Sequence, residues 1–591
     1  MAPPMAPPRP SYAPSMDPRA QSTGPLAQPM SMPPMRPVGG YPQSGPPARR
    51  SLTERVAAAS DRGLVGVFLA VAGVGVTLIG IVLLLVLAAQ AGILRPELRV
   101  AAGAVLAGAL VGAGLWWRRK PNGRVGAIAL AATGIAAGYL DVAAATRIYH
   151  WLPAVAGLVV AAAVAAGGLI LTRRWDSEHL GLLVIVPLTL LAPFLTDGVN
   201  TTLIAFMLVL SAATLWVHLG RDWIVLFAVR TAAPTLPLFF AAAGAGLGTT
   251  RPGNEFVVAA VINAVLAVSS AVLLMQHSRF HAWLALVSVA SMLPIALSGV
   301  ALDTTTSALL TAGGSAALLT LAIVGRWSGG VPHSAQEIWL ATSLGLALIA
   351  VVDAFDAAVA VPVILVMALI AVLAADADEQ LGRVWRWAAA ILGVIGVLSM
   401  LAQLRPVDLG HARDISVTAG MTTLISAALA ILVAVGLVRM WRHDSSVRMD
   451  SGIRTVAWGL SGIVIAYAVT AFTVTAASMI AGGDSGFLAG HVLATVCWMI
   501  MAAAVMVYAR RLDASARTPL VTGALCLVAA AMAKLFLFDL AALDGIFRVL
   551  VFLVTGLILL AMGAWYARTL DATNGESVSA QNGCDATTPG R

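Results

Sequence analysis

The chain has 591 residues, of which 59% are hydrophobic and only 11% charged, and its mean hydropathy is +0.90. Soluble domains are roughly half apolar and about a quarter charged, so this balance excludes a soluble globular protein and calls for a bilayer as solvent. The net charge of +8 does not point to nucleic acid as a partner, because the basic residues sit in short loops between apolar runs and form no stripe with aromatics.

Residues 1–50 hold fifteen of the 29 prolines and no apolar run long enough for the core of a signal peptide, so they read as a disordered cytoplasmic tail. Ser51-Leu-Thr-Glu54 has the capping-box pattern, and 51–62 is expected to be a short interfacial helix leading into the membrane. A polytopic domain then fills 63–568, and 569–591 is a second disordered cytoplasmic tail. Within that domain the apolar runs close to the ~20 residues that cross ~30 Å of hydrocarbon number about eighteen. They lie at 63–89, 98–117, 124–145, 151–171, 179–196, 200–218, 223–243, 256–275, 282–301, 306–325, 336–353, 358–375, 385–402, 415–437, 454–480, 487–509, 518–540 and 546–567.

Loop charge tests that reading independently, because cytoplasmic ends of spans accumulate Lys and Arg. With the amino terminus inside, inner segments carry 23 basic residues and outer segments seven. This bias supports an even number of spans with both termini cytoplasmic. Outer turns carry Asp and Asn instead, as at Asp197, Asn200, Asp303, Asp353, Asp356 and Asp484. N-capping of the following helix accounts for most of them, and an acidic outer vestibule is the alternative. Glycines at 66, 73 and 80, and the pairs Gly108/Gly112 and Gly134/Gly138, are expected to let the first helices approach closely.

The densest charge in the apolar domain is at its end, in Lys534-Leu-Phe-Leu-Phe-Asp539 followed by Asp544 and Arg548. Lysine at the centre of a span costs ~2.5–3.5 kcal/mol, and intramembrane charge is a functional-site hypothesis by default. Lys534 is expected to snorkel outwards or to pair with an acidic group on another helix, with Asp539 and Arg548 pairing across the turn. Asp141 is grouped with Tyr139, Arg147, Tyr149 and His150, and with Arg95 and Arg99 across the first outer turn, where they can line a pocket for an anionic headgroup. The alternative is a set of interfacial anchors with local Asp-Arg pairs. Arg230 precedes Pro234 and Pro237, a pattern that exposes backbone carbonyls at transporter sites. The blander version puts 222–230 in the inner interface and starts the span at Thr231.

His277 and His281 have the spacing of two ligands on one helix face but no third ligand nearby, so no metal is expected. Three cysteines, Cys497, Cys526 and Cys584, offer neither a disulfide framework nor a metal site. No phosphate-binding loop, dinucleotide fingerprint or nucleophile elbow is present, so no cofactor is expected and an enzyme is not favoured.

The order of these features resembles a family of bacterial multi-span membrane proteins, domain of unknown function 2339. The likeness is carried by Gly92-Ile-Leu-Arg95-Pro-Glu-Leu-Arg99-Val, by Gly134-Ile-Ala-Ala-Gly138-Tyr-Leu-Asp141, by the Pro187 to Pro193 run ending Phe194-Leu-Thr, and above all by Lys534-Leu-Phe-Leu-Phe-Asp539-Leu. It implies an all-α helix bundle in a bacterial cytoplasmic membrane and supplies no site residue.

Together these readings favour transport or flipping of an envelope-related substrate, with an anionic lipid or lipid-linked molecule as candidate and Lys534, Asp539, Arg548, Asp141 and Arg230 along the substrate or ion pathway. A polar cavity joining them is the expectation. The alternatives are a non-catalytic scaffold or assembly factor with envelope protein partners or a homo-oligomer, and, less favoured, an enzyme on lipid-linked substrates at the outer face.

Overall fold

The structure is a computed structural model that describes residue 80 and residues 95–561, less 122, 249–252, 329, 379, 413–414, 444–450, 512–513 and 540–548. Both tails, the interfacial helix, the run 63–89 apart from residue 80, Asp544 and Arg548 lie outside the described residues, as does the side chain of Asp539.

Hydrocarbon offers no water to a peptide group, so a span must satisfy its backbone internally, and helices do this. Accordingly the described residues form an all-α bundle without strands. The helices are α1 (Pro96–Trp117), α2 (Arg124–Ala143), α3 (Ala154–Trp175), α4 (Glu178–Leu195), α5 (Thr201–Ala213), α6 (Ile224–Gly246), α7 (Asn254–Met275), α8 (His281–Ala290) and α9 (Thr304–Ser328). They continue as α10 (His333–Ala354), α11 (Ala357–Ala377), α12 (Gly382–Gln403), α13 (Val417–His443), α14 (Ser451–Ala481), α15 (Gly483–Ala509), α16 (Ala514–Lys534) and α17 (Val549–Ala561). Fifteen helical stretches among the described residues are long and apolar enough to cross a membrane. They coincide with expected runs, and α17 is the described part of the run 546–567.

One expected span differs. The run 282–301 is not a continuous helix: α8 stops at Ala290 and is followed by the short pieces Leu293–Ala296 and Ser298–Ala301. Pro294 has no N–H to continue the ladder, which is one reason for the break. The segment nevertheless runs the depth of the bundle. Ser288, late in α8, accepts a hydrogen bond from the Trp339 indole of α10, and ten residues further on Ser298 meets Ser307 of α9.

Among the described residues the three largest of seven buried clusters gather successive groups of helices. The first core gathers Ala131, Tyr139, Leu158, Val184, Leu188, Leu203 and Leu226 from α2 to α6. A second takes Phe227, Ala260, Leu274, Leu284, Ile295, Leu318 and Trp339 from α6 to α10. The third unites Val361, Leu365, Met400, Ala427, Ala468 and Phe487 from α11 to α15. Because Leu226 and Phe227 are neighbours in sequence, α6 is the wall shared by the first two cores.

Small residues set the tightest crossings. A Cβ on Gly134 would sit 2.7 Å from the Ala107 carbonyl oxygen, and one on Gly490 would sit 2.5 Å from Cα of Val474. Gly108 and Gly112, expected to work the same way, face open space. At such crossings a substituted side chain meets backbone, which cannot rotate aside.

Side-chain bonds between separate loops join loops of one face. On the Arg-rich face, Arg221 pairs with Asp176 at 2.5 Å, Arg326 with Asp378 at 2.6 Å and Arg383 with Glu337 at 2.8 Å. Opposite it, Arg147 and Asp197 form a bidentate pair and the Ser307 hydroxyl donates to Asp353 at 2.6 Å. Asn200 and Asp303 cap helices as expected, accepting from Leu203 and Thr306 amides. The pairing matches the alternation read from loop charge.

Two outcomes are expected. Gly134→Val should lower stability by ~1–3 kcal/mol, read as a lower melting temperature of the purified protein. The Arg147 hydrogen bond holds the Asp197 carboxyl below its ordinary range, so its contribution is complete above that range and is lost as pH falls through the lowered value. Melting temperature should therefore fall more steeply from neutral to acid pH in the wild type than in Asp197→Asn.

Candidate functional site

The site with the strongest physical case is built on α6. Its first turn is anchored from α4, where a Glu178 carboxylate oxygen accepts from the amides of Val225 (2.9 Å) and Leu226 (3.1 Å). That anchor makes the helix start at Ile224, and the stretch long and apolar enough to cross a membrane runs Ile224–Gly246 with Arg230 inside it. Arg230 lies six residues inside, about 9 Å of rise, and is 2% exposed. Pro234 and Pro237 lie within the helix and have no N–H, which leaves the carbonyls of Arg230 and Ala233 without their helical donors.

The Arg230 guanidinium donates through Nη1 to the Ser211 carbonyl on α5 at 3.2 Å and lies 5.3 Å from the Phe227 ring. Its Nε has no partner, and among the described residues no carboxylate pairs with it. A buried cation normally carries its counter-ion with it.

Polar contacts extend from α6 into the broken segment. Asn263 of α7 donates to Thr235 Oγ1 at 3.1 Å and to the Ser291 carbonyl at 3.3 Å, where α8 ends. Ser291 in turn donates to the Ser288 carbonyl at 2.6 Å, and the Ser288 hydroxyl receives the Trp339 indole N–H at 3.1 Å. Thr235, Asn263, Ser288 and Ser291 are all buried. Irregular backbone is tolerated at membrane depth when enclosed by protein in this way.

A second constellation surrounds Lys534. At the end of α16 its ammonium, half-buried, donates to the His491 carbonyl at 3.2 Å and to Thr495 Oγ1 at 2.8 Å on α15, and lies 5.5 Å from the Phe538 ring. It therefore turns into the bundle and does not snorkel to the surface. His491 is buried, bonds through Nε2 to the Leu409 carbonyl at 2.8 Å, and packs its ring edge-to-face on Phe487 and tilted against Phe538. Leu409 belongs to a single turn, Pro406–Gly410, which Tyr467 of α14 holds by a bond to Leu404. After Lys534 the helix widens into a π turn, Leu535–Asp539, a distortion that often marks functional positions.

Asp141, the remaining candidate, is near the far end of α2, about 25 Å of rise from Arg124. It is 9% exposed and faces Gly103 of α1, whose missing side chain makes room for the carboxylate. Its expected companions disperse: Tyr139 donates to the Val184 carbonyl, Arg147 pairs with Asp197, and Tyr149 stacks on Trp151. Asp141, Arg230 and Lys534 thus sit in separate places. A cavity of about 440 Å³ between α10 and α12, lined by Leu344, Trp387 and Ile391 with the Glu337–Arg383 pair at one end, contains none of them.

The family model for domain of unknown function 2339, described as a predicted membrane protein, matches residues 66–236 and 421–569. The chain belongs to this family. No curated protein and no solved structure matches it. Both distinctive sites touch family-matched blocks: Asp141 and Arg230 fall in the first, and Lys534, Asp539 and Arg548 in the second. The 440 Å³ cavity falls between the blocks, in the stretch the family model leaves out.

Three structural partners were not singled out from the sequence: Asn263, His218 and His491. Each is a strongly polar residue inside an apolar run, so that signal was present. His277 and His281, by contrast, do not share a helix face, because 276–280 is a loop, and no metal-holding group occurs among the described residues.

Thr495→Val should cost ~1–3 kcal/mol by removing an acceptor from a half-buried ammonium. In a double-mutant cycle Lys534→Met should restore part of that loss, which melting temperatures of the four proteins will show.

Proposed function

We propose that this membrane protein moves an anionic, envelope-related substrate across or between the leaflets of a bacterial cytoplasmic membrane. The observation that carries this reading is the helix break at Ser291, bonded through Asn263 to the proline-bearing α6 that also holds a buried Arg230. Discontinuous helices that place freed backbone groups and a charge inside the bundle are the recurrent architecture of transporter sites. An arginine inside a span is costly, up to ~2.5–3.5 kcal/mol at the centre, and a purely structural bundle gains nothing from that cost that leucine would not supply. The positive sign of the charge sets the sign of the substrate.

A second reading, a membrane scaffold for envelope complexes, is favoured by the backbone contacts at Gly134 and Gly490, which rigidify the first and third groups.

Purified protein in liposomes decides between them. The expected result is faster dithionite bleaching of inner-leaflet NBD-phosphatidylglycerol, or faster efflux of radiolabelled inorganic anions, than in protein-free vesicles. Arg230→Gln should return the rate to the protein-free level, and Arg230→Lys should keep part of it. Rates equal to those of empty vesicles with both probes would sink the transport reading and leave the scaffold.

A further inference from the structure

The cavity of about 440 Å³ between α10 and α12 is a groove that opens sideways. Ala341, Gly345, Trp387 and Ile391 along it are exposed, while Leu392 on its floor is buried. A Cβ on Gly345 would meet nothing within 4 Å, so this glycine makes no close helix crossing and leaves the wall of the groove open.

The groove has the depth of one leaflet. From Glu337 to Leu348 along α10 is about 16 Å of rise, and from Arg383 to Leu392 along α12 about 14 Å, against ~15 Å for half of the hydrocarbon core. It begins at the Arg-rich face with the Glu337–Arg383 pair and ends at Leu392, halfway along α12. Trp387, one turn deeper than Arg383, is 54% exposed and packs edge-to-face on Trp441. Tryptophans gather at headgroup level, which puts Arg383 at the depth of lipid phosphates. Below Trp387 the lining is Leu344, Leu348, Ile391 and Leu392, where a polar occupant finds no partner and a hydrocarbon chain needs none.

The mouth selects the headgroup. The Arg383 side chain is 69% exposed and gives one N–H, on Nη2, to Glu337 Oε1 at 2.8 Å; its remaining N–H groups have no partner among the described residues. Glu337 Oε2 likewise accepts no hydrogen bond among them, since His333 stands 3.8 Å from Oε1. One guanidinium and one carboxylate therefore lie side by side with bonding capacity left on each. A phosphate can take the guanidinium donors, and a primary ammonium can donate to the carboxylate. A headgroup with net negative charge would leave Glu337 facing its own sign, and a quaternary ammonium has no N–H to give.

We propose that this groove seats a resident phosphatidylethanolamine from the leaflet at the Arg-rich face, with one acyl chain between α10 and α12, its phosphate on Arg383 and its ammonium on Glu337. The groove does not include Arg230, so the site stands whether or not the transport reading does.

Full-length protein, delipidated in detergent, is melted against dioleoyl-phosphatidylethanolamine, dioleoyl-phosphatidylcholine and dioleoyl-phosphatidylglycerol in mixed micelles, and retained lipid is identified by native mass spectrometry. Phosphatidylethanolamine should raise the melting temperature and saturate, as a ligand of the native state must, and should bind at least tenfold more tightly than the other two. Gly345→Phe fills the groove without meeting backbone. It should keep the lipid-free melting temperature of the wild type and lose tenfold or more in affinity. Glu337→Gln should bring phosphatidylethanolamine down about tenfold, to the level of phosphatidylcholine, the worth of one hydrogen bond to a charged group. Absence of a saturable effect of phosphatidylethanolamine overturns the proposal. So does equal affinity for the three lipids, and so does unaltered affinity in Gly345→Phe.

Discussion

Inside hydrocarbon a polar atom must find its partner within the protein, and the organisation of this molecule follows from that constraint. It explains why the described residues are helical and why threonines and serines along the spans bond back to carbonyls one turn earlier, as Thr133, Thr172 and Thr235 do. Places where the rule is strained become conspicuous. Arg230, whose Nε has no partner, is such a place, and the break at Ser291 is another, repaired by Asn263 reaching over from α7.

The same constraint gives α6 its central position. This helix contributes Leu226 to one core and Phe227 to the next, so any change in its tilt is felt by both. Its two prolines weaken the backbone ladder at that shared wall, and its first turn is pinned by Glu178. A helix fixed at one end and loosened in its middle is a natural element for relative movement of two packed groups. The third group has its own locked centre, where Lys534, Thr495 and His491 tie α16 to α15 and the turn Pro406–Gly410.

Family membership sharpens this picture. The matched blocks take in the first group up to Pro234 and the last from Met421 onwards, so the intervening helices with Asn263, Ser291 and Trp339 complete the α6 site from outside the family model.

Much of the fold was legible because it rests on properties local to the chain. Run length and hydropathy are enough to place the helices, and loop charge is enough to pair their ends; the bonds of Arg221 to Asp176 and of Arg147 to Asp197 connect loops already assigned to common faces. Burial inside a membrane bundle was not legible, since apolar residues face lipid and neighbouring helices alike. Leu190 is exposed while Leu188, two residues away, is fully enclosed. For the same reason the sequence named Arg230 and Lys534 as charges out of place but did not show where they point. Tertiary packing decided that Lys534 meets a carbonyl and a hydroxyl, that Asp141 faces a glycine, and that Arg230 is enclosed against the Ser211 carbonyl, because a side chain's partners come from other helices.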